Sequence, residues 1–141
     1  MDGEMARTFS AQVEDWVRKS KARSTAVFRE SVSRVGEQAQ TTVHEGGKMP
    51  IDTGFLRASY SVSLNGMPFG QSNNPGGQFA YKQEPVDLTI AGAQVGDSIW
   101  GGWTANYAKF MEERYGFMRS AAQSWQQIVD GVVREVRARF P

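Results

Sequence analysis

The sequence lacks cysteine, has a single histidine and contains no long apolar run. The absence of cysteine excludes disulfides, thiol nucleophiles and cysteine-ligated metals, and it suits a reducing compartment. With His44 alone, neither a histidine-rich metal site nor a Ser-His-Asp triad with a spare histidine is expected. No segment approaches the roughly 20 apolar residues of a membrane span. The first residues, MDGEMARTF, also lack the apolar core of a signal peptide.

Basic and acidic residues are nearly equal in number, 16 against 15, which gives a formal net charge of +1. A surplus this small argues against nucleic acid or anionic lipid as the main ligand. The 141 residues include four Trp and eight Phe, enough large apolar side chains for one modest core. We therefore expect a single domain over residues 1–141 that binds no cofactor and no metal.

One long helix is predicted over residues 8–46. Thr8 or Ser10 can cap its start, and the Gly-Gly pair at 46–47 ends it. At about 1.5 Å per residue it spans more than 50 Å, so part of it projects or packs on another subunit. Its apolar face, with Ser20 and Ser24 in register, is Phe9, Val13, Trp16, Val17, Phe28, Val32, Val35, Ala39 and Val43.

A glycine-rich β region is predicted over residues 49–104. Residues 58–64 alternate between apolar and serine positions, as in a half-buried strand. Residues 86–93 and 97–104 are predicted as two further strands joined by a hairpin turn, which gives an antiparallel sheet of three to four strands. The connection over residues 65–85 is unusually long, which is typical of a functional or disordered loop.

The C-terminal region, residues 105–140, is predicted to be helical, with a break at Gly116. Beyond that glycine, one amphipathic helix is expected to pack on the sheet, which makes the fold α+β. Its apolar stripe is Met118, Ala121, Ala122, Trp125, Ile128, Val129, Val132, Val133, Val136 and Phe140.

The sequence Asp52-Thr53-Gly54 matches the catalytic motif of aspartic proteases. That chemistry needs two carboxylates sharing a proton, so a chain of this length would have to dimerise within a nearly all-β fold. Two long predicted helices contradict such a fold. The preferred interpretation is a structural corner in which Asp52 or Thr53 caps a helical turn, Gly54 supplies the turn, and Leu56 anchors it in the core. Arg57 is then left without a stated partner, and Glu112 is our hypothesis for it.

Other charged residues give weaker signals. Glu84, Asp87 and Asp97 are predicted to be solvated loop carboxylates, and His44 to lie at a helix C-terminus. The basic cluster at residues 18–23, RKSKAR, is interpreted as a solvated helix face, with a phosphate or acidic-partner contact as the alternative.

Aromatic residues mark the candidate interfaces. Trp100 and Trp103 lie in one predicted strand, and side chains of this kind usually pack in the core or on the sheet. A dense aromatic surface is also typical of a subunit interface. In the long loop, Phe69, Phe79 and Tyr81 are side chains that could be buried on a partner.

Two segments together resemble a known family. MPIDTGFLRASYSV resembles the Pro-x-Asp-Thr-Gly-x-Leu-Arg-x-Ser signature of the neck or tail-completion proteins of long-tailed double-stranded DNA bacteriophages. ANYAKFMEERYGFMRSAAQSW resembles the second signature, with Tyr107, Glu112 and Gly116 at its matching positions. The resemblance covers roughly residues 8–138. The second motif usually reads Glu-Phe-Gly-Thr, whereas here Glu112 is followed by Glu-Arg-Tyr-Gly.

The resemblance implies a virion protein without enzymatic activity, assembled in the host cytoplasm. It would join the tail to the DNA-filled head in a ring around the DNA channel, enclosing DNA without reading its sequence. The implied partners are copies of itself, as a hexamer or alternatively a dodecamer, a head-closure protein, and a tail terminator or tail tube protein. Alternatives are a tail terminator or tail-assembly accessory role, a host-encoded binding domain, and a dimeric aspartic hydrolase using Asp52.

Overall fold

The computed structural model describes residues 2–68 and 70–139, with side chains from residue 8 onward. Phe69 and Phe140, named above, lie outside the described residues. The described part is an α+β fold of six α-helices and a two-stranded antiparallel sheet. The order is α1 (Asp2–Gln40), a 3-10 turn (Val43–Glu45), α2 (Phe55–Ala58), β1 (Tyr60–Ser63), α3 (Glu84–Ala91), β2 (Trp100–Trp103), α4 (Ala108–Tyr115), α5 (Phe117–Gln123) and α6 (Trp125–Arg139).

The long first helix is confirmed, but both of its predicted ends are wrong. It begins at Asp2, so Thr8 and Ser10 lie inside it and do not cap it. The Glu-Met-Ala-Arg run before Thr8 consists of good helix formers, which carries the helix upstream. It ends at Gln40 because Thr42 is extended, at φ −75° and ψ 160°. That conformation lets the Val43 N–H donate to the Met49 carbonyl at 3.0 Å.

Helix α6 runs antiparallel to α1 along its C-terminal half. Gln38 Nε2 donates to Ser124 Oγ at 3.0 Å, and Arg34 Nη1 donates to Glu135 Oε1 at 3.1 Å. Ser124, directly before α6, thus meets Gln38, and Glu135 near the end of α6 meets Arg34, which lies earlier in α1. The end of α6 shares a surface cavity with Ala26, so the part of α1 before that point extends beyond α6.

The projecting segment is called the arm, residues 8–19. All of its side chains are exposed except Asp15, which is half-buried. Phe9 is 68% exposed and Trp16 67%. The predicted apolar face of the first helix therefore divides into a packed C-terminal half and an uncovered N-terminal half.

The described sheet has two strands, and the prediction of three to four is not confirmed. β1 pairs antiparallel with β2, with Tyr60 opposite Trp103 and Ser63 opposite Trp100. These strands lie within the predicted segments 58–64 and 97–104. Because side chains alternate along a strand, Tyr60 and Trp103 share one face, here called the inner face, while Trp100 lies on the outer face.

The predicted strand at 86–93 is wrong, because that segment forms helix α3. Pro85 stands in the first helical turn, a position it favours, and Glu84 and Asp87 suit the positive end of the helix dipole. Val86 and Ile90, four residues apart, are buried, whereas Leu88 between them is 67% exposed. A strand would have placed all three on one face, so the correct period is that of a helix.

The C-terminal region forms three helices rather than a short helix and one long one. The predicted break at Gly116 is confirmed, with its φ at 68°. A second break falls at Ser124, between α5 and α6. Val132 and Val136 are buried, and α6 packs mainly along α1 and not on the sheet as predicted. Helix α5 does meet the sheet, through Phe117 against Trp103.

The core next to the sheet is small and is built around Leu56. Met49, Leu56, Ala105 and Phe117 are buried together in it. Half-buried aromatic and apolar side chains surround that cluster, among them Phe55, Trp103, Tyr107, Met111 and Tyr115. Among the helices formed by the described residues, none combines the length and apolar character needed to cross a membrane.

Two substitutions in α3 test whether this segment is a helix or a strand. Ile90→Ala is expected to lower the free energy of unfolding by about 2–4 kcal/mol, because it removes a buried side chain. Leu88→Ala should change it by no more than about 0.5 kcal/mol, because that side chain is exposed. Urea denaturation of the two variants measures both values. Equal losses would mean that the two residues share a buried face and that α3 is wrongly assigned.

Candidate functional site

The Asp52-Thr53-Gly54 motif lies where the long loop crosses the entry to α2. Thr53 holds the loop twice: its carbonyl accepts from the Phe79 N–H at 2.8 Å, and its hydroxyl accepts from Asn74 Nδ2 at 3.2 Å. The same hydroxyl accepts from the Phe55 N–H at 3.3 Å, which closes a tight local turn. The predicted capping by Asp52 or Thr53 is wrong, because Gly54 is the N-cap residue of α2 and no side chain in the described ranges caps that helix.

Gly54 is required by both its backbone angle and its neighbour. Its φ is 84°, in the left-handed region that glycine adopts without strain. A Cβ at this position would lie 2.2 Å from the Phe79 carbonyl oxygen. The predicted turn residue is therefore also the point at which the loop backbone approaches α2 most closely.

Asp52 is exposed and takes no part in this arrangement. Its carboxylate makes no hydrogen bond or ion pair with the described part of the chain. An aspartic protease needs a second carboxylate sharing a proton with the first, within a fold of strands. Asp52 instead precedes a helical turn in an α+β fold.

Arg57 contacts Gln40 and Tyr81, so the hypothesis of a Glu112 partner is wrong. Its Nε donates to the Gln40 carbonyl at 2.9 Å, and its guanidinium lies 5.0 Å from the centre of the Tyr81 ring. The carbonyl is one of the last of α1, which has no partner within the helix. A cation at the negative end of a helix is favourable, which gives the arginine its role.

Gln40 completes this arrangement with its side chain and is almost fully buried, at 2% exposure. Its Nε2 donates to the Arg57 carbonyl at 2.8 Å, and its Oε1 accepts from Trp103 Nε1 at 2.8 Å. One glutamine thus joins the end of α1 to α2 and to β2. We call this set, Gln40, Arg57 and Trp103, the Gln40 junction.

Glu112 caps the helix that follows Gly116. Its two carboxylate oxygens accept from the Met118 and Arg119 N–H groups at 2.8 and 2.9 Å. These donors belong to the first turn of α5, which has no intrahelical acceptor for them. Gly116 ends α4 in the left-handed conformation, which turns the chain back so that the carboxylate reaches the next helix.

The aromatic candidates separate into packed and exposed ones. Trp103 stacks on Tyr60, with ring centres 4.7 Å apart, and meets Phe117 edge-on at 4.8 Å. Burial, aided by the neighbouring Tyr81, raises the pKa of Tyr60 to about 12. The inner face of the sheet is therefore packed within the chain, and Trp103 serves the fold.

The long loop is anchored at two points. The Ser72 N–H donates to the Thr104 carbonyl at 2.7 Å, beside β2. Further along, Phe79 meets Phe55 edge-on at 5.1 Å, and Tyr81 lies 6.2 Å from Tyr60. These two predicted partner contacts are thus half-buried against their own chain.

Trp100 lies on the outer face of the sheet and is 42% exposed. Met67, which is 51% exposed, lies on the same face, where a Cβ on Gly102 would come within 3.4 Å of its terminal methyl. Pro68 approaches the same glycine at 4.0 Å. We call Trp100, Met67 and Pro68 the outer-face patch.

The remaining charged candidates serve local turns and helix ends. Glu84 and Asp87 lie in the first turn of α3, so their prediction as loop carboxylates is wrong. Asp97 accepts from the Gln94 N–H at 2.8 Å and so closes the turn before β2. Asp87 accepts from Gln83 at 2.9 Å, and His44 is exposed. In the described ranges, no three His, Asp or Glu side chains lie close enough together to hold a metal ion.

The basic cluster at residues 18–23 is partly neutralised within its own helix. Asp15 pairs with Lys19 at 2.9 Å and also with Arg18. The hydrogen bond from Lys19 lowers the pKa of Asp15. The interpretation as a solvated helix face therefore holds for Arg18, Lys19 and Lys21, whereas Ser20 and Arg23 are half-buried.

Comparison with known proteins adds no relative. No family model, no curated protein and no solved structure gives a significant match to this chain. The function is therefore argued from the arrangement of the residues described above.

Gln40 and the capping role of Glu112 are the two features that sequence reasoning missed. Gln40 ends a helical run that was predicted to continue to residue 46, so its side chain drew no attention. Glu112 offered a better signal: a carboxylate that precedes a glycine by four residues and a new helix by five can reach back to cap that helix.

Gly54→Ala is expected to lower the free energy of unfolding by about 3 kcal/mol or more, because it adds both left-handed strain and a clash with the loop backbone. Gly46→Ala is the matched control, since its φ is 91° and a Cβ there meets nothing within 4 Å. It should cost about 1 kcal/mol through strain alone. Chemical denaturation of both variants gives the comparison, and equal losses would refute the close approach.

Glu112→Ala is expected to cost about 1–2 kcal/mol of stability, because two N–H groups of α5 lose their acceptor. Glu113→Ala is the control, since that neighbouring carboxylate is exposed, and it should stay within about 0.5 kcal/mol. Thermal unfolding distinguishes the two variants. If Glu113→Ala were the more damaging, the capping assignment would be wrong.

Proposed function

We propose that this protein is a structural component of the head–tail junction of a long-tailed bacteriophage, acting in a ring that joins the tail to the filled head. The observation that carries the proposal is the arm: Phe9, Val13, Trp16 and Val17 form an apolar helix face that no other part of the described chain covers. Exposed apolar surface of this extent is typical of proteins that bind other proteins.

A second, separate apolar surface supports assembly into a ring. The outer-face patch lies on the sheet, whereas the arm extends beyond α6. A closed ring of identical subunits uses heterologous interfaces, which need two different surfaces on each copy. The arm and the outer-face patch supply such a pair. A hexamer remains the favoured stoichiometry, with a dodecamer as the alternative.

Several residues of the two sequence motifs make contacts that hold the fold together, which supports a structural role. Thr53 and Gly54 hold the long loop, Arg57 contacts the end of α1, and Glu112 caps α5. These are the residues on which the resemblance to neck and tail-completion proteins rests. A chain that uses its motif residues for shape is suited to assembly.

A tail terminator or tail-assembly accessory protein would use the same two surfaces, so the ring that the protein caps decides between these roles. Binding to the end of a bare tail tube would favour the terminator. Binding that also engages the head-closure complex favours the proposed junction role.

The test is negative-stain electron microscopy of the protein mixed with purified tails, or with the head-closure complex, from its phage. We expect decoration of one tail end. Trp100→Ala should weaken that binding about tenfold or more, because it removes the largest side chain of the outer-face patch. Leu88→Ala removes an equally apolar and more exposed side chain from α3 and should leave decoration intact.

Absence of binding to tails and to the head-closure complex would refute the proposal. Decoration that survives Trp100→Ala would keep the role but exclude the outer-face patch as the contact surface. Circular dichroism of each variant establishes that the loss is one of binding and not of folding.

A further inference from the structure

We infer that the free protein forms a symmetric dimer in which the arm of each copy lies antiparallel along α1 of the other, with the two-fold axis at Ser20. The inference concerns the protein before it meets any partner, and it does not rest on the proposed function. Its occupant is a second copy of this chain, and three features of α1 support it.

The first feature is a groove that continues the face of the arm. It lies between α1 and α6, with a volume of about 490 Å³. Val27, Phe28 and Ser31 of α1 and Trp125, Val129 and Val133 of α6 are among its lining residues. The groove begins near residue 23, where the basic cluster ends, so one copy carries an apolar arm and a neighbouring apolar groove on the same helix.

The second feature is the order of large and small side chains along α1. When two copies of the helix are placed antiparallel, large side chains of one copy face small side chains of the other. Phe9 and Ser31 lie equally far from Ser20 on its two sides, and so do Trp16 and Ser24. An antiparallel pair centred on Ser20 therefore places each aromatic ring opposite a serine. It also places Val13 opposite Val27 of the second copy.

Small residues at the crossing point allow the two helices to approach closely. Ser20 meets its own copy at the axis, where a large side chain would hold the helices apart. The Ser31 side chain at the groove floor is almost fully buried, at 1% exposure, and its hydroxyl has no hydrogen-bond partner among the described residues. Ser31 is thus already covered within its own chain, and its small side chain leaves the groove above it open to Phe9 of the second copy.

The third feature is size. Residues 9–31 extend about 34 Å along the helix axis, which is about three heptads of paired helix. Phe9 and Trp16 are each about two-thirds exposed, and a large aromatic side chain can bury 150–250 Å². Four such rings and the surfaces that receive them give on the order of 1,000 Å², which reaches the lower limit of specific interfaces.

Charge opposes this pairing and so provides a distinctive signature. The basic residues Arg18, Lys19 and Lys21 of both copies would lie beside the axis, where Asp15 neutralises only part of their charge. Screening by salt weakens such repulsion, whereas it does not weaken apolar burial. Dimerisation is therefore expected to strengthen as salt rises, which is the reverse of association driven by ion pairs.

The first experiment is sedimentation equilibrium of the full chain, at low and high salt. The expected mass is twice the 15.6 kDa of one chain, with a larger dimer fraction at high salt. Trp16→Ala should raise the dimer dissociation constant about 30-fold or more, because both copies lose an anchor. Phe110→Ala removes a ring that is 65% exposed on α4, outside the arm, and should leave the constant unchanged.

The second experiment fixes the register and uses the absence of native cysteine. Ser20→Cys should form a disulfide-linked dimer on mild oxidation, because the two positions meet at the axis. Val13→Cys and Val27→Cys should each remain uncrosslinked alone but should crosslink when mixed. Ser10→Cys is the exposed control, and two such residues would lie about 30 Å apart along the paired helices.

A monomer at every concentration and salt condition would overturn the inference. Crosslinking of Val13→Cys with itself would also overturn it, because that result requires a parallel pair or a different register. Dimerisation that Trp16→Ala leaves unchanged would place the interface elsewhere. Because the dimer would bury the arm, it must dissociate before the arm can contact a neighbouring subunit in a ring. Sedimentation and crosslinking test the dimer, whereas tail decoration tests the proposed function.

Discussion

The fold depends on how the chain leaves its first helix, and the Gln40 junction controls that exit. The last turn of α1 has carbonyl groups without helical partners, and Arg57 contacts one of them while stacking on Tyr81. The Gln40 amide fixes the backbone of α2 and the indole of Trp103. Because the glutamine is buried, each of its polar atoms must find a partner inside the protein. The helix, the corner and the sheet are thereby held in one arrangement.

The sequence predicted those elements that depend on the spacing of neighbouring residues. The spacing of apolar residues predicted α1 and the helical C-terminus, alternation predicted β1, and the structural interpretation of Asp52-Thr53-Gly54 predicted a corner anchored by Leu56. The segment at 86–93 was misassigned because its apolar residues fit two periods. Val86 and Ile90 are compatible with either a helix or a strand, and only the exposure of Leu88 in the fold distinguishes them. Pro85 and the acidic residues beside it were the helix-start signals that decide such a segment.

The partner of Arg57 could not be found by matching charges, because that partner is a backbone carbonyl. Every residue carries one, so nothing in the sequence singles out Gln40 until the end of α1 is known. The same reasoning applies to Glu112. Its carboxylate oxygens accept hydrogen bonds from two backbone N–H groups and do not pair with a cation in the described part of the chain. Charged residues near helix ends are used for capping as readily as for ion pairs, and opposite charges in two motifs are weak evidence that the motifs meet.

The arm explains why so small a protein carries so long a helix. Apolar side chains are more stable out of water. Burying Phe9 or Trp16 would stabilise the protein or its complex by about 1.5–3 kcal/mol each. The rest of the described chain does not bury these two side chains, because α6 ends opposite the middle of α1 and does not reach the arm. Exposed rings on a helix that its own core does not need are useful only where another surface receives them. Trp100, which is 42% exposed on the outer face of the sheet, is a second large side chain that the fold leaves in contact with water. The fold thus leaves two apolar surfaces exposed, the arm and the outer-face patch, while capped helices and the Gln40 junction hold the rest of the chain in place.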